Sequence, residues 1–167
     1  MTGLISTPVP ASEPDDAQVV ADGWFPPVRL ADVRDRLMAA APEKGPFRLI
    51  EAIENAMVLA LRELAAWRTA RVLEGKADLA AVTIETLNNR NYAVLLWERV
   101  VRSFAGAEIL AEYRDVSATD QGMDRAAEKD AIGEEYRRRA LAAVADLRSV
   151  GLPEGEEPVQ RNRVELI

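Results

Sequence analysis

The side chains available for acid–base or metal chemistry are carboxylates, because the 167-residue sequence contains neither histidine nor cysteine. Catalytic arrangements and zinc sites that need those residues are therefore excluded. Glu134 and Glu135 could form an acid–base pair or hold Mg²⁺, but Arg138 and Arg139 follow them at a spacing of four, which is typical of ion pairs on exposed helices. The alternative is an arginine patch that faces DNA or a neighbouring subunit. With no nucleotide-binding glycine motif either, we predict no catalytic residue, metal site or cofactor.

A second group of polar residues interrupts two strongly helical stretches, in the segment "AEYRDVSATDQGMDRAAEKD" at 111–130. Asp120 or Asp124 could cap an early start of the following helix. Alternatively, Gly133 could mark a start near Asp130 and leave 115–130 as an ordered excursion. We predict a polar loop here at one end of the molecule. Its candidate functional residues are Asp115, Ser117, Thr119, Asp120, Gly122 and Asp124.

The elements that would position these residues are helices. Abundant alanine and few aromatic residues favour an all-α helical bundle of about four helices. Apolar periodicity places helices at about 30–41, 47–73 and 92–114, with a fourth that ends near 150. Gly75 is a plausible stop for the second helix, and Gly106 would allow another backbone to approach the third. Between these helices, "DLAAV" could form a helical turn and "NNRN" supplies turn and cap residues.

Composition divides the chain into three parts. Residues 1–23 read as a flexible acidic arm, because proline, serine and acids cannot bury enough surface to offset the ordering entropy. Residues 24–150 form the helical domain, and "GWFPP" at its start is expected to pack onto the helices as a plug. Residues 151–167 form a linker and a short terminal strand, "RVELI". No other clear strand is predicted, so the terminal strand would either pair with another chain or dock in an apolar groove.

Charge and hydropathy exclude several classes of protein. The net charge is −7, of which the arm contributes −4, and no basic stripe is present. Tight DNA binding depends on cations that release counterions from phosphates, so it is not expected. No run of about 18 apolar residues could span a membrane, and the N-terminus lacks a secretory signal. The absence of cysteine suits a reducing compartment such as the cytosol.

Five separated stretches together resemble one family, the head completion proteins of the GpL type from temperate phages with contractile tails. The resemblance covers about residues 23–167 and follows the family's order. The stretches are "GWFPPVRLADVRDRL", "FRLIEAIENAMVLALRELAAWR", "LWERVVRSFAGAEILAEYRDVSATDQGMDRA", "YRRRALAAVADLRSVG" and the C-terminal "VELI".

The resemblance implies a structural virion protein that is not an enzyme. Such proteins bind the portal protein after DNA packaging, form a ring at the neck, stabilise the filled head and let the tail dock. The expected partners are the portal, about twelve copies of the chain itself, a tail-side connector or tail terminator protein, and DNA only as it passes through the channel. The terminal strand, with Arg163, Val164, Glu165, Leu166 and Ile167, would bind the portal. The 115–124 loop would face the channel or the tail.

Two other classes stay open from the residues alone. One is a helical nucleic-acid-binding packaging protein that resembles a small terminase subunit. Salt-dependent DNA binding by the isolated chain would identify it. The other is a non-viral helical scaffold, in which the terminal strand folds back on its own domain.

Overall fold

The computed structural model of the protein describes residues 17–37, 46–115, 120–152 and 159. The fold is mainly helical, as predicted, and the bounds of the second and third helices agree with the prediction to within one residue. In chain order the elements are β1 (Gln18–Val19), β2 (Val28–Arg29), α1 (Leu30–Leu37), α2 (Pro46–Leu73), a 3-10 turn (Ala80–Val82), β3 (Thr86–Leu87), β4 (Arg90–Asn91), α3 (Tyr92–Asp115) and α4 (Asp120–Arg148).

Helix α3 is the centre of the bundle. Its apolar residues cover more than half of its circumference, and several are completely buried: Ala93, Trp97, Val100, Val101 and Ala105. Helices α2 and α4 both pack along it, whereas they contact each other much less. Helix α4 is antiparallel to α3, because a connection of only four residues joins them. Hydrogen bonds join Trp67 and Arg71, near the end of α2, to Val150 and Gly151, just after the end of α4, so α2 and α4 run in the same direction along α3.

The "GWFPP" segment packs onto this core as predicted. Phe25 is fully buried and stacks on Trp97, with ring centroids 4.3 Å apart. The indole nitrogen of Trp97 donates a hydrogen bond to the carbonyl oxygen of Pro26 at 3.0 Å, and that of Trp24 donates to the carbonyl oxygen of Lys76 at 3.1 Å. Both indoles are therefore buried with their polar atoms satisfied.

Two small antiparallel sheets accompany the helices, which corrects the prediction that no strand exists apart from the terminal one. Strand β1 pairs with β2, and β3 pairs with β4. Each strand has only two residues, too few to leave an alternating pattern in the sequence. The terminal strand predicted at 163–167 lies outside the described residues.

Residues 17–23, which composition assigned to the arm, are part of the folded unit. Pairing of β1 with β2 is extended by a hydrogen bond from the Leu30 amide to the carbonyl oxygen of Ala17, at 2.9 Å. The carboxylate of Asp22 accepts hydrogen bonds from the amides of Trp24 and Phe25 and forms an ion pair with Arg68 at 2.6 Å. The flexible arm therefore ends earlier than predicted. The contacts of Asp22 are polar, so they leave no apolar pattern in the sequence from which they could be predicted.

Helix α2 ends at the predicted glycine. Gly75 has a φ of +84°, a conformation that glycine adopts without strain. Its amide donates to the carbonyl oxygen of Val72 at 2.9 Å, and the next amide, of Lys76, donates to that of Arg71 at 3.1 Å. This pair of hydrogen bonds is the Schellman arrangement that terminates helices.

Gly106 of α3 permits a close approach, but of side chains rather than of a backbone. A Cβ atom at this position would lie 2.8 and 3.0 Å from two ring carbons of Tyr136 on α4, and 3.1 Å from a methyl carbon of Leu37 on α1. The missing side chain of Gly106 thus makes room for the aromatic ring that joins α3 to α4.

We expect Gly106→Ala to be less stable than Gly133→Ala by about 1–3 kcal/mol, the usual cost of overpacking. Both substitutions gain similar helix propensity, but a Cβ at Gly133 would have its nearest neighbour 3.8 Å away, on Leu110. Urea unfolding of the two variants measures the difference. Equal stabilities would contradict the close packing at Gly106.

Candidate interaction surfaces

The predicted polar loop is short. Asp115 is the last residue of α3 and Asp120 is the first of α4, so Gly122 and Asp124 are helical. Ser117 and Thr119 lie outside the described residues. The early start of the fourth helix is therefore confirmed, and the ordered excursion over 115–130 is wrong.

The helix continues through Gly133 without interruption, for two physical reasons. Residues 125–140 are rich in alanine, glutamate and arginine, which favour helix. One internal glycine costs about 1 kcal/mol, which the packing of α4 along α3 outweighs.

The opposite end of the bundle carries the β3–β4 hairpin. Its two-residue turn consists of Asn88 and Asn89, with φ values of 50° and 59°, as a type I′ turn requires. Asn91 then caps α3, because its side-chain oxygen accepts a hydrogen bond from the Val94 amide at 3.2 Å, and its side-chain nitrogen donates to the Thr83 carbonyl oxygen at 2.9 Å. The turn and cap roles predicted for "NNRN" are confirmed.

Large apolar side chains are exposed at this same end. Ile84, which precedes β3, is 99% exposed, and Leu87 within β3 is 62% exposed. Leu73, the last residue of α2, is 81% exposed. Apolar side chains grouped at one end of a domain are typical of an interaction surface. The sequence predicted the turn but not this surface, because only the fold shows which apolar side chains remain exposed.

The root of the C-terminal tail is attached beside the hairpin. The guanidinium of Arg71 donates a hydrogen bond to the carbonyl oxygen of Gly151, and the amide of Val159 donates to the hydroxyl oxygen of Ser149 at 2.9 Å. A cleft of about 430 Å³ separates the hairpin side from the tail root. Its lining residues are Thr83, Glu85, Tyr92, Asp146, Ser149, Val150, Gly151, Leu152 and Val159.

The tail root and the α3–α4 connection are therefore at opposite ends of the bundle. The α3–α4 connection lies at the start of α4, and the tail root lies just after its end. Since α4 has 29 residues, the ends are separated by about 43 Å. The predicted portal-binding residues, Arg163, Val164, Glu165, Leu166 and Ile167, follow the tail root and lie outside the described residues.

The arginines of α4 form a third surface. Glu135 accepts hydrogen bonds from Arg138 and Arg139, the latter at 2.7 Å. The predicted Glu135–Arg139 pair is thus confirmed, whereas Arg138 pairs with Glu135 rather than with Glu134. The hydrogen bond from Arg139 lowers the pKa of Glu135, and the charges of both arginines add to this effect. A groove of about 400 Å³ also includes Arg99, Arg137, Leu141 and Ala142.

We expect Glu135→Gln to reduce stability at pH 7 and to have no effect in acid. The folded-state pKa lies below the ordinary 4.5, so the stabilisation by the carboxylate is complete above 4.5 and is lost as the pH falls through the lowered value. Thermal unfolding of both proteins between pH 7 and pH 2 measures this. A difference that persists at the lowest pH would contradict the ion-pair explanation.

The described residues contain no group of three or more acidic side chains placed to hold a metal ion. No helix among them is long and apolar enough to cross a membrane. The described residues together define a small helical-bundle protein with exposed apolar side chains at one end and an arginine-lined groove on α4.

Comparison with known proteins gives the family. Residues 19–152 match the model of the phage head completion proteins (GPL), so the chain belongs to this family. It is 30% identical, over 143 residues, to the "Head completion/stabilization protein" of Escherichia phage P2, an alignment that covers 86% of this chain and 83% of the relative. No protein of solved structure matches the chain.

Family membership makes the chain a structural protein of the virion that acts with head components, and it indicates no catalytic activity. This assignment favours head completion over the two other classes left open by the residues, a small terminase subunit and a non-viral scaffold.

Proposed function

We propose that the chain is an adaptor of the head–tail connector. It binds the portal protein at the vertex of a DNA-filled head, forms a ring of about twelve copies at the neck, and offers the surface on which the tail docks. The observation that carries this proposal is the placement of the tail root and the α3–α4 connection at opposite ends of a bundle about 43 Å long.

The tail is the proposed portal-binding element. Its root is held against the bundle by Arg71 and Ser149, so each copy presents the segment that follows from a fixed point. The apolar residues of "RVELI" would add a strand to the portal, and main-chain hydrogen bonds would supply the affinity. Many copies around the portal would strengthen the attachment through multivalency.

The exposed apolar residues beside the tail root support this orientation. Ile84 and Leu87 of the hairpin region lie at the same end of the bundle as Gly151. If that end faces the portal, contact with it would remove these side chains from water, which is favourable. The opposite end, with Asp115, Asp120, Gly122 and Asp124, would then face the tail-side connector or tail terminator protein, or the DNA channel.

Portal binding is tested by co-sedimentation of the chain with the purified portal ring, with a truncation that ends at Arg161 as the comparison. We expect the full chain to bind and the truncation to lose binding, because the last six residues would form the added strand. Thermal unfolding provides the control, since deletion should leave the melting temperature of the monomer nearly unchanged. Equal binding by both proteins would refute strand addition, and no binding by the full chain would refute the adaptor.

The role of the acidic residues at the other end is tested by reversing Asp115, Asp120 and Asp124 to lysine. If they line the channel, we expect slower DNA ejection and altered DNA retention, because lysines would bind phosphates of the passing genome. Unchanged ejection and retention with defective tail joining would instead assign this end to the tail-side partner. Assays of DNA release and tail attachment on assembled particles separate the two results.

A further inference from the structure

Four arginine side chains converge on one groove of the bundle, which has a volume of about 400 Å³. Its lining includes Arg99 of α3 and, on α4, Arg137, Arg138, Arg139 and Leu141. Arg138 and Arg139 share the carboxylate of Glu135. Among the described residues, Arg99 and Arg137 form no ion pair. The described part of the chain therefore leaves two guanidiniums in the groove without a neutralising carboxylate.

A groove of this composition suits a segment that carries carboxylates. A guanidinium binds a carboxylate through two parallel hydrogen bonds, which favours arginine over lysine in such contacts. Leu141, which is 45% exposed, adds an apolar side chain, so a segment with small apolar residues fits better than a phosphate backbone. The net charge of −7 on the chain also opposes binding of nucleic acid.

The chain itself contains a segment with these properties, residues 1–16, which we call the acidic segment. It carries three carboxylates, on Glu13, Asp15 and Asp16, and no lysine or arginine. It also contains Val9 and Ala11, whose apolar side chains suit the apolar part of the groove. The side-chain charges of the segment and of the groove are therefore opposite in sign.

The structure shows where the acidic segment joins the folded unit. The segment precedes Ala17, whose carbonyl oxygen accepts a hydrogen bond from the amide of Leu30 at the start of α1. The start of α1 lines a small cavity together with Glu98 and Arg102 of α3. Arg99 lies in the same turn of α3 and lines the groove. The root of the acidic segment and the groove are therefore at the same level along α3.

The root and the groove lie on different sides of the bundle. Strand β1, which carries the root, packs against α2, whereas the groove lies between α3 and α4. The start of α1 separates them, because it covers Glu98 and Arg102. In the proposed ring the bundle is parallel to the ring axis, so neighbouring copies are related by a rotation without a shift along the bundle. A segment that leaves one copy at this level therefore meets the next copy at the level of its groove.

We infer that the acidic segment of one copy binds in the arginine-lined groove of the next copy. The inference rests on the proposed function, since it requires the ring. An extended segment of this length reaches up to about 50 Å, so it can join two bundles without any matching of their helix faces. Repetition of the contact around the ring would strengthen the assembly through multivalency.

Cysteine cross-linking tests the contact, since the chain contains no cysteine of its own. One chain carries Ser12→Cys and a second chain carries Leu141→Cys, and the two are mixed, assembled on the portal and oxidised. We expect a covalent dimer that contains one chain of each kind. The matched control uses Ala81→Cys in place of Leu141→Cys. Ala81 is also exposed but lies in the 3-10 turn near the hairpin, so the yield of mixed dimer should fall about tenfold.

Charge exchange tests the ion pairs in the same assembly. We expect Arg99→Glu combined with Arg137→Glu, in the chain that supplies the groove, to lower the yield of mixed dimer about tenfold, because like charges then meet in the groove. Replacement of all three carboxylates of the acidic segment by arginine in the other chain should restore the yield. Arg62→Glu changes an exposed arginine of α2 and should have no effect. Circular dichroism confirms that each variant is folded.

The outcomes separate this inference from the function on which it rests. Portal-bound protein without the mixed dimer, or with an equal yield from Ala81→Cys, would overturn the inference alone. An internal disulfide in a chain that carries both Ser12→Cys and Leu141→Cys, without mixed dimer, would show that the segment binds its own groove. A yield that the charge variants leave unchanged, together with weaker DNA binding, would assign the groove to phosphates. Absence of portal binding by the parent chain would overturn both the function and the inference.

Discussion

Burial of α3 is the constraint on which the rest of the structure depends. This helix is apolar over most of its surface, so it needs neighbours on several sides at once. Helices α2 and α4 pack along two sides, α1 reaches a third through Leu37, and the aromatic plug covers the start of the helix. The helices that surround α3 keep their outer faces in water and available to partners.

The plug joins the first part of the chain to this core. Phe25 stacks on Trp97, and the hydrogen bonds of Trp24 and Trp97 connect residues 52 and 71 positions apart in the chain. Arg68 adds to the cluster, since its guanidinium carbon lies 5.6 Å from the ring centre of Trp24 while it pairs with Asp22. One local cluster thus fixes the N-terminal segment, the end of α2 and the start of α3 together.

The same architecture separates the two surfaces that the proposed adaptor would use. The hairpin, the tail root and their cleft lie at one end, and the α3–α4 connection lies at the other. The three long helices are held together by close packing, such as the contact of Tyr136 with Gly106. Close packing resists deformation, so the two ends of the bundle keep a fixed separation. A rigid spacer of this kind suits a protein whose partners lie above and below it.

The sequence alone determined the helices and the plug. The long apolar periods of α2 and α3, the glycine stop at Gly75 and the turn residues "NNRN" are local signals, and each depends on residues that are close in the chain. The stretches within residues 19–152 that resemble the head completion family are also local, so the family could be identified before the fold was seen.

The tertiary structure decided what depends on distant residues. The two short sheets and the inclusion of residues 17–23 in the fold result from contacts that no local pattern encodes. For the start of α4 the local signals left two alternatives, and the structure selects Asp120. The exposed hairpin residues belong to the same category. An apolar residue in the sequence signals burial in general, and only the packed structure determines which of them, such as Ile84, Val58 and Leu141, remain exposed.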